Sequence, residues 1–144
     1  MMAMHQLAER PHHTERSVAM SVVVVTGPKI DPASVASMDL PEKEPFTQYD
    51  GSPLGTRGID LWHSEDRTIA VGAWECDAGR FHADFSDYGE IIQVVSGELV
   101  CTADADGVTT TLRPGDVMVF PRGWTGEWSM PVPLRKIWTK WLAY

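Results

Sequence analysis

Glu90-Ile-Ile-Gln-Val-Val-Ser-Gly97 and, 17 residues on, Gly115-Asp-Val-Met-Val-Phe-Pro121-Arg-Gly123 decide how this chain is read. Alternate side chains of a strand share a face, so an inward Glu90 places Ile92 and Val94 inside with it and Gln93 outside. Gly97 suits a tight hairpin, and the Pro-x-Gly turn at Pro121–Gly123 bends the chain back on itself. The 17 intervening residues hold one further hairpin, GELVCTA against VTTTLRP, across the turn Asp104-Ala105-Asp106-Gly107. Working outward, GIDLWHSED reads as a strand and a turn, and TIAVGAWEC as a strand closed by Asp77-Ala78-Gly79. VMVFPRG and LRKIWTKWLA complete the series. Short strands at this spacing predict an all-β sandwich or barrel, without a helix longer than two turns and without a long repeat.

Upstream the pattern dissolves. Residues 1–19 mix charge, His and Pro and read as a mobile extension, with His12 and His13 in an exposed tail and Met20 as a plausible true start. Residues 20–55 read as a wrapping segment, irregular from Gly27 to Pro53, with one short β run at its head, Val22 to Val25. The barrel or sandwich itself is assigned to 56–144. The chain has 144 residues, 43% hydrophobic and 22% charged, which fits one domain with one core. A net charge of −8 repels polyanions, so nucleic acid and anionic membranes are not expected partners. Cys76 and Cys101 belong to no CxxC pair and read as buried thiols in a reducing compartment. The four-valine run is too short for a signal peptide or a membrane span, so a cytoplasmic location is expected.

The order Glu, six residues, Gly, then Gly, five residues, Pro-x-Gly resembles the paired signature of the cupin superfamily. The wider passages GAWECDAGRF and PGDVMVFPRGWTGEW, with the closing Arg135-Lys136 strand, resemble the single-domain DUF861 (cupin_3) cupins, related to ureidoglycine aminohydrolase and EutQ-type cupins. The resemblance implies a double-stranded antiparallel β-barrel of the jelly-roll type, often dimeric, with a ligand cavity inside. It implies no single reaction, because cupins include hydrolases, isomerases, oxygenases and binding proteins. A homodimer is expected, in which residues 20–35 give a strand or an arm to a neighbour, since an uncovered apolar edge is a liability.

Metal-binding cupins place His-x-His three or four residues before the Glu and a fourth His three residues after Pro-x-Gly. Here those positions fall on Asp84 and Ser86, or on Ala83 and Phe85, and on Gly126; the stretch from Gly79 to Glu90 is one residue short. No metal or other cofactor is therefore expected. The alternative is a rearranged set of His82, Asp84 and Glu90, with His63 on a neighbouring strand, holding Zn, Mn or Fe.

A carboxylate inside an apolar barrel needs a partner or takes up a proton. The family's closing strand suggests Lys136, sharing a face with Trp138 and Lys140. Either Glu90 and Lys136 form a pair that only fixes the barrel, or Glu90 is a tuned acid or base and Lys136 anchors a substrate carboxylate. Trp74, Trp128 and Trp138 offer aromatic surface, Arg80 and Phe81 a rim, and His82, Asp84 and Tyr88 polar contacts. The sequence reading is thus a cupin that takes a small polar or anionic molecule into its barrel. It would act as a metal-independent or weakly metal-binding hydrolase, lyase or isomerase on an amino, ureido or carboxylic acid. The alternative is a non-catalytic binding or sensor cupin.

Overall fold

The computed structural model describes residues 27–142. The extension 1–19 and the four-valine run lie outside these residues, so the strand at the head of the wrapping segment is not described. Ten strands follow one short helix, α1 (Pro32–Ala36): β1 (Glu42–Thr47), β2 (Pro53–His63), β3 (Ile69–Cys76), β4 (Gly79–Asp84), β5 (Tyr88–Ser96), β6 (Leu99–Ala103), β7 (Thr109–Leu112), β8 (Val117–Phe120), β9 (Thr125–Met130) and β10 (Leu134–Leu142). They form a six-stranded sheet, β1-β2-β3-β10-β5-β8, and a four-stranded sheet, β4-β9-β6-β7. All pairings are antiparallel. Two facing antiparallel sheets of this kind are a cupin jelly roll, the all-β fold expected.

The turns that order the chain lie at the glycines of the two signature stretches. Gly97 has φ 87° and its Cα faces the Pro133 carbonyl so closely that any side chain would collide with it. Gly123 has φ 98°, and its N–H is donated to the Phe85 carbonyl at 2.8 Å. Both are left-handed backbones that favour glycine.

Three strands escaped the sequence reading. β1 is exposed along its whole length, and β4 (GRFHAD) and β9 (TGEWSM) are short and mix charge with aromatics. Part of the expected arm, residues 20–26, lies outside the described residues. Within the rest, Asp31 caps α1, Pro32 opens it, and Val35 is buried, so this stretch packs on its own barrel as a short helix. Arg135 fastens the helix by donating to the carbonyls of Val35 (2.7 Å) and Met38 (2.6 Å). Its Nε is held by Glu75 (2.8 Å), which also receives Arg57 Nε at 2.8 Å.

The core between the sheets gathers Leu54, Phe81, Ala83, Phe85, Ile92, Val94, Leu99, Leu112, Phe120, Trp128, Met130 and Leu134. Cys76 and Cys101 are buried free thiols, and burial pushes Cys76 up to about 12, which keeps it protonated. Among the described residues no helix is long and apolar enough to cross a membrane.

Candidate functional site

The inner face of the large sheet is laid out by strand register. One row crosses it as Ala70, Lys140, Glu90 and Phe120; the next as Gly72, Trp138, Ile92 and Met118; a third as Trp74, Lys136 and Val94. Ile92 and Val94 are buried with Glu90, as the alternation predicts. Gly72 makes room for this arrangement. A side chain there would collide with the Trp138 indole, so the glycine lets that ring lie against β3 and leaves the barrel centre open.

A cavity of about 600 Å³ opens between the sheets. Glu90 and Lys136, 5% and 4% exposed, lie at its buried end, with Lys136 Nζ 3.3 and 3.2 Å from the two carboxylate oxygens of Glu90. The ammonium also sits 4.7 Å from the centre of the Trp74 ring and 4.6 Å from that of Trp128. Burial pulls the Lys136 ammonium below its ordinary value; Glu90 opposes the shift and Lys140 adds to it. Lys140 is half-buried, with Nζ 4.6 Å from the Tyr88 ring centre and 4.9 Å from that of Trp138. Among the described residues it has no carboxylate in ion-pair contact. Burial, and then Glu90, raise the Tyr88 phenol, so it stays a hydrogen-bond donor at neutral pH. The indole N–H of Trp128 is buried without a partner.

The opposite wall is apolar. β4 and β9 present Phe81, Ala83, Gly126, Trp128 and Met130 inward, with Phe85 just beyond β4. From the edge of the six-stranded sheet, β1 brings Phe46 against it, 4.9 Å from Phe81 and 5.7 Å from Trp74 between ring centres, and Pro45 and Lys43 border the cavity too. Asp60 borders the cavity as well.

Eight of the nine expected site residues, Glu90, Lys136, Trp74, His82, Asp84, Tyr88, Trp128 and Trp138, border this cavity, and Arg80 does not. His82 and Asp84 border it from a strand whose inward side chains are their neighbours. β4 alternates with Phe81 and Ala83 inward, which turns Arg80, His82 and Asp84 to the outer face. There Arg80 lies over the Tyr49 ring and 3.7 Å from Glu127, and His82 Nε2 meets Asp104 at 2.8 Å. Asp84 accepts from the Ser86 N–H and hydroxyl, which holds its carboxyl below the usual range. All three of His82, Asp84 and Glu90 border the cavity, but they are not grouped to hold an ion: the first two side chains are engaged by Asp104 and Ser86, and Glu90 by Lys136. His63 lies on the far stretch of β2 with Nδ1 against its neighbour's carbonyl, Ser64 O, at 2.9 Å. Lys140 and Phe46 are among the lining residues left out of the sequence-derived site, and Phe81 was placed only at its rim. Lys140 was legible there, two residues on from Trp138 on the same strand face.

The residues present do not fit the metal ion of metal-binding cupins. Of the two alternative slots, the inward pair is Ala83 and Phe85, and Gly126 takes the fourth position; none carries a donor. Nor is there room for one at Gly126, where a side chain would meet the Thr102 carbonyl and lie 2.6 Å from the Trp124 ring. Glu90, the one carboxylate at the buried end, is already held by an ammonium. Among the described residues, no three of His, Cys, Asp and Glu are grouped to hold an ion.

A family model described as an EutQ-like cupin domain matches residues 63–138. The putative ethanolamine utilization protein Q of Salmonella typhimurium is 30% identical, with a TM-score of 0.53, over 69% of this chain and 80% of that one. The EutQ protein of Clostridium difficile superposes with a TM-score of 0.61 at 21% identity, over 76% of this chain and 84% of that one. A DUF861-family protein of unknown function from Pseudomonas syringae pv. tomato superposes with a TM-score of 0.64 at 17% identity, over 72% of this chain but 45% of that one. No curated protein matches the chain.

Proposed function

This chain belongs to the EutQ-like cupin family, and from that premise we propose that its barrel binds a small organic acid and presents it to Glu90 for proton transfer. One observation carries the reading: the chain is acidic overall, −8, yet the cavity is bordered by Lys43, Lys136 and Lys140, and among the described residues Lys140 has no carboxylate in ion-pair contact. Of the carboxylates that border it, Glu90 pairs with Lys136, Asp84 accepts from Ser86 and Asp60 pairs with neither Lys43 nor Lys140, which leaves the Lys140 ammonium for a ligand. A cation backed by Tyr88 and Trp138 in a partly dry pocket attracts an anion far better than the same lysine does in water. The phenol of Tyr88 adds a neutral donor. The aromatic walls suit a flat or apolar body on the acid.

For turnover, Glu90 is the proton acceptor, with Lys136 as its neighbour at 3.2 and 3.3 Å. The step needs no Lewis acid. A second reading, a non-catalytic binding or sensor cupin, is favoured by the closure of the Glu90–Lys136 pair, each side chain 6% exposed. Both readings share the binding step.

Tryptophan fluorescence titrations with phenylacetate and phenethylamine test that step. The acid should quench Trp138 and Trp74 and the amine should not, and Lys140→Met should weaken the acid by about tenfold or more, as expected for a hydrogen bond to a charged group. Equal binding of acid and amine would overturn the proposal. Glu90→Gln then separates its two forms: a catalyst loses turnover and keeps the ligand, whereas a sensor has no turnover to lose.

A further inference from the structure

Lys140 borders a second hollow as well as the main cavity. This one, of about 250 Å³, is lined by Asp60, His63, Arg67, Ala70, Trp138, Lys140 and Leu142. It adjoins the first through shared residues, Asp60, Trp138 and Lys140. The Trp138 indole borders both and lies close against Gly72.

The hollow holds a second unpaired cation. Arg67 sits in the turn between β2 and β3, and among the described residues its guanidinium has no carboxylate in ion-pair contact. Asp60 borders the same space without pairing with Arg67 or Lys140. The turn is held from within. Asp66 accepts from the Ser64 hydroxyl (2.8 Å), the Thr68 N–H (3.1 Å) and the Thr68 hydroxyl (2.8 Å), and Ser64 accepts the Ile69 N–H at 3.0 Å. Arg67 has φ 62°, a left-handed backbone that glycine or asparagine adopts at less cost. An arginine there spends conformational freedom on its side chain, and that side chain borders a hollow.

We propose that the hollow lined by His63, Arg67 and Lys140 is a second anion subsite, so that the preferred ligand carries two acidic groups on an apolar segment lying along Trp138. This inference rests on the reading of the barrel as an acid-binding site and deepens it to a dicarboxylate class. The first acidic group lies between Lys140 and the Tyr88 hydroxyl. The second is received by the Arg67 guanidinium, whose planar fork suits a carboxylate. His63 holds its Nδ1 against the Ser64 carbonyl, which leaves Nε2 for the ligand or for water.

Isothermal titration with matched acids tests this: the dicarboxylates glutarate, adipate and suberate beside the monocarboxylates pentanoate, hexanoate and octanoate. At one chain length the diacid should bind about tenfold tighter than its monoacid, the size of one added charge-assisted contact. Arg67→Met should erase that excess and leave the monoacid unchanged, and Arg67→Lys should keep most of it. Circular dichroism on Arg67→Met confirms that the turn and barrel are intact. If monoacids bind but diacids show no excess, or the excess survives Arg67→Met, the second subsite is wrong and the barrel reading stands. If no acid of either series binds, the barrel reading itself falls and takes the subsite with it.

Discussion

The inner face of the six-stranded sheet carries Glu90, Lys136 and Lys140, whereas the facing wall of the four-stranded sheet carries Phe81, Ala83, Gly126, Trp128 and Met130. Both walls come from strands of the same alternating pattern, and both enclose the same cavity. The charge is gathered on β5 and β10, where each charged group has a counter-ion or an aromatic face. The other wall supplies one of those faces, Trp128 beside Lys136, while Trp74, Tyr88 and Trp138 come from the charged sheet itself. The positions where a metal-binding cupin gathers its nitrogen ligands fall on the apolar wall, at Ala83, Phe85 and Gly126. What this teaches is a division of labour: electrostatics on one wall and shape on the other, with an ammonium beside Glu90 where other cupins bring a metal.

The largest effect should come from dividing the charged wall against itself. Lys136→Met leaves Glu90 buried without a counter-ion and should destabilise the fold by about 3–5 kcal/mol at neutral pH, and Glu90→Gln should cost a similar amount by stranding Lys136. The two variants should then respond to pH with opposite slopes. In Lys136→Met a carboxylate is buried without a counter-ion, a cost that acid relieves, so stability recovers as pH falls. In Glu90→Gln the one influence that raises Lys136 is lost, while burial and Lys140 still lower it. Its folded pKa lies further below the unfolded 10.5, so stability recovers as pH rises toward that value. Urea unfolding over a pH series checks both slopes. Parallel slopes would mean that the pair is not the ionic unit of that wall. The double variant, Lys136→Met with Glu90→Leu, should restore most of the loss, because it removes both stranded charges.

The apolar wall and its neighbouring glycines come next. Gly126→Ala has to displace the Thr102 carbonyl or the Trp124 ring, and Gly72→Ala has to displace Trp138. Each should cost about 1–3 kcal/mol, the usual penalty for overpacking. They differ in what they do to the cavity. Gly72→Ala drives the Trp138 indole toward the cavity and should weaken phenylacetate in the fluorescence titration, whereas Gly126→Ala should lower the thermal midpoint and leave affinity unchanged. Equal affinity losses would show that the two walls do not contribute separately to the ligand.

How much of this was legible in the sequence depends on which wall is asked about. The charged wall was readable because β5 alternates cleanly from Glu90 to Val94, and because Lys136, Trp138 and Lys140 repeat the same period on β10. Strands with one buried face fix their own register. The apolar wall was not, because GRFHAD and TGEWSM are too short and too mixed to declare a face. Counting positions back from Glu90 across a stretch one residue short leaves the parity open, and a shift of one residue exchanges inside for outside. That is why Asp84 with Ser86 and Ala83 with Phe85 both stood as slots when Ala83 and Phe85 are the buried pair, and how Arg80 was assigned to a pocket that it does not border. β1 was hidden for another reason. EKEPFT is exposed throughout, so only tertiary contact through Phe46 gives it a role.

The smallest effect should come from the outside of the apolar wall, and it is the sharpest control on the comparison. His82 and Asp104 meet at 2.8 Å with 46% and 52% of their side chains exposed, and Asp84 serves its own turn through Ser86. Exposed pairs of this kind contribute little, because solvent and salt screen them. His82→Ala and Asp84→Ala should therefore leave phenylacetate affinity unchanged, and Arg80→Ala should do the same, since its guanidinium lies over Tyr49 on the outer face. A chelator added to any of these variants, or to the parent protein, should not move the thermal midpoint, because the inward positions beside Glu90 supply no donors for a tightly held ion. The informative failure is specific. If His82→Ala lowered affinity or abolished a chelator-sensitive step in the melting curve, β4 would have to present its other face to the cavity in solution. Phe81, Ala83 and Phe85 would then be turned out into water, at a cost of several buried apolar side chains worth about 1.5–3 kcal/mol for each large one. The division between the two walls rests on that cost.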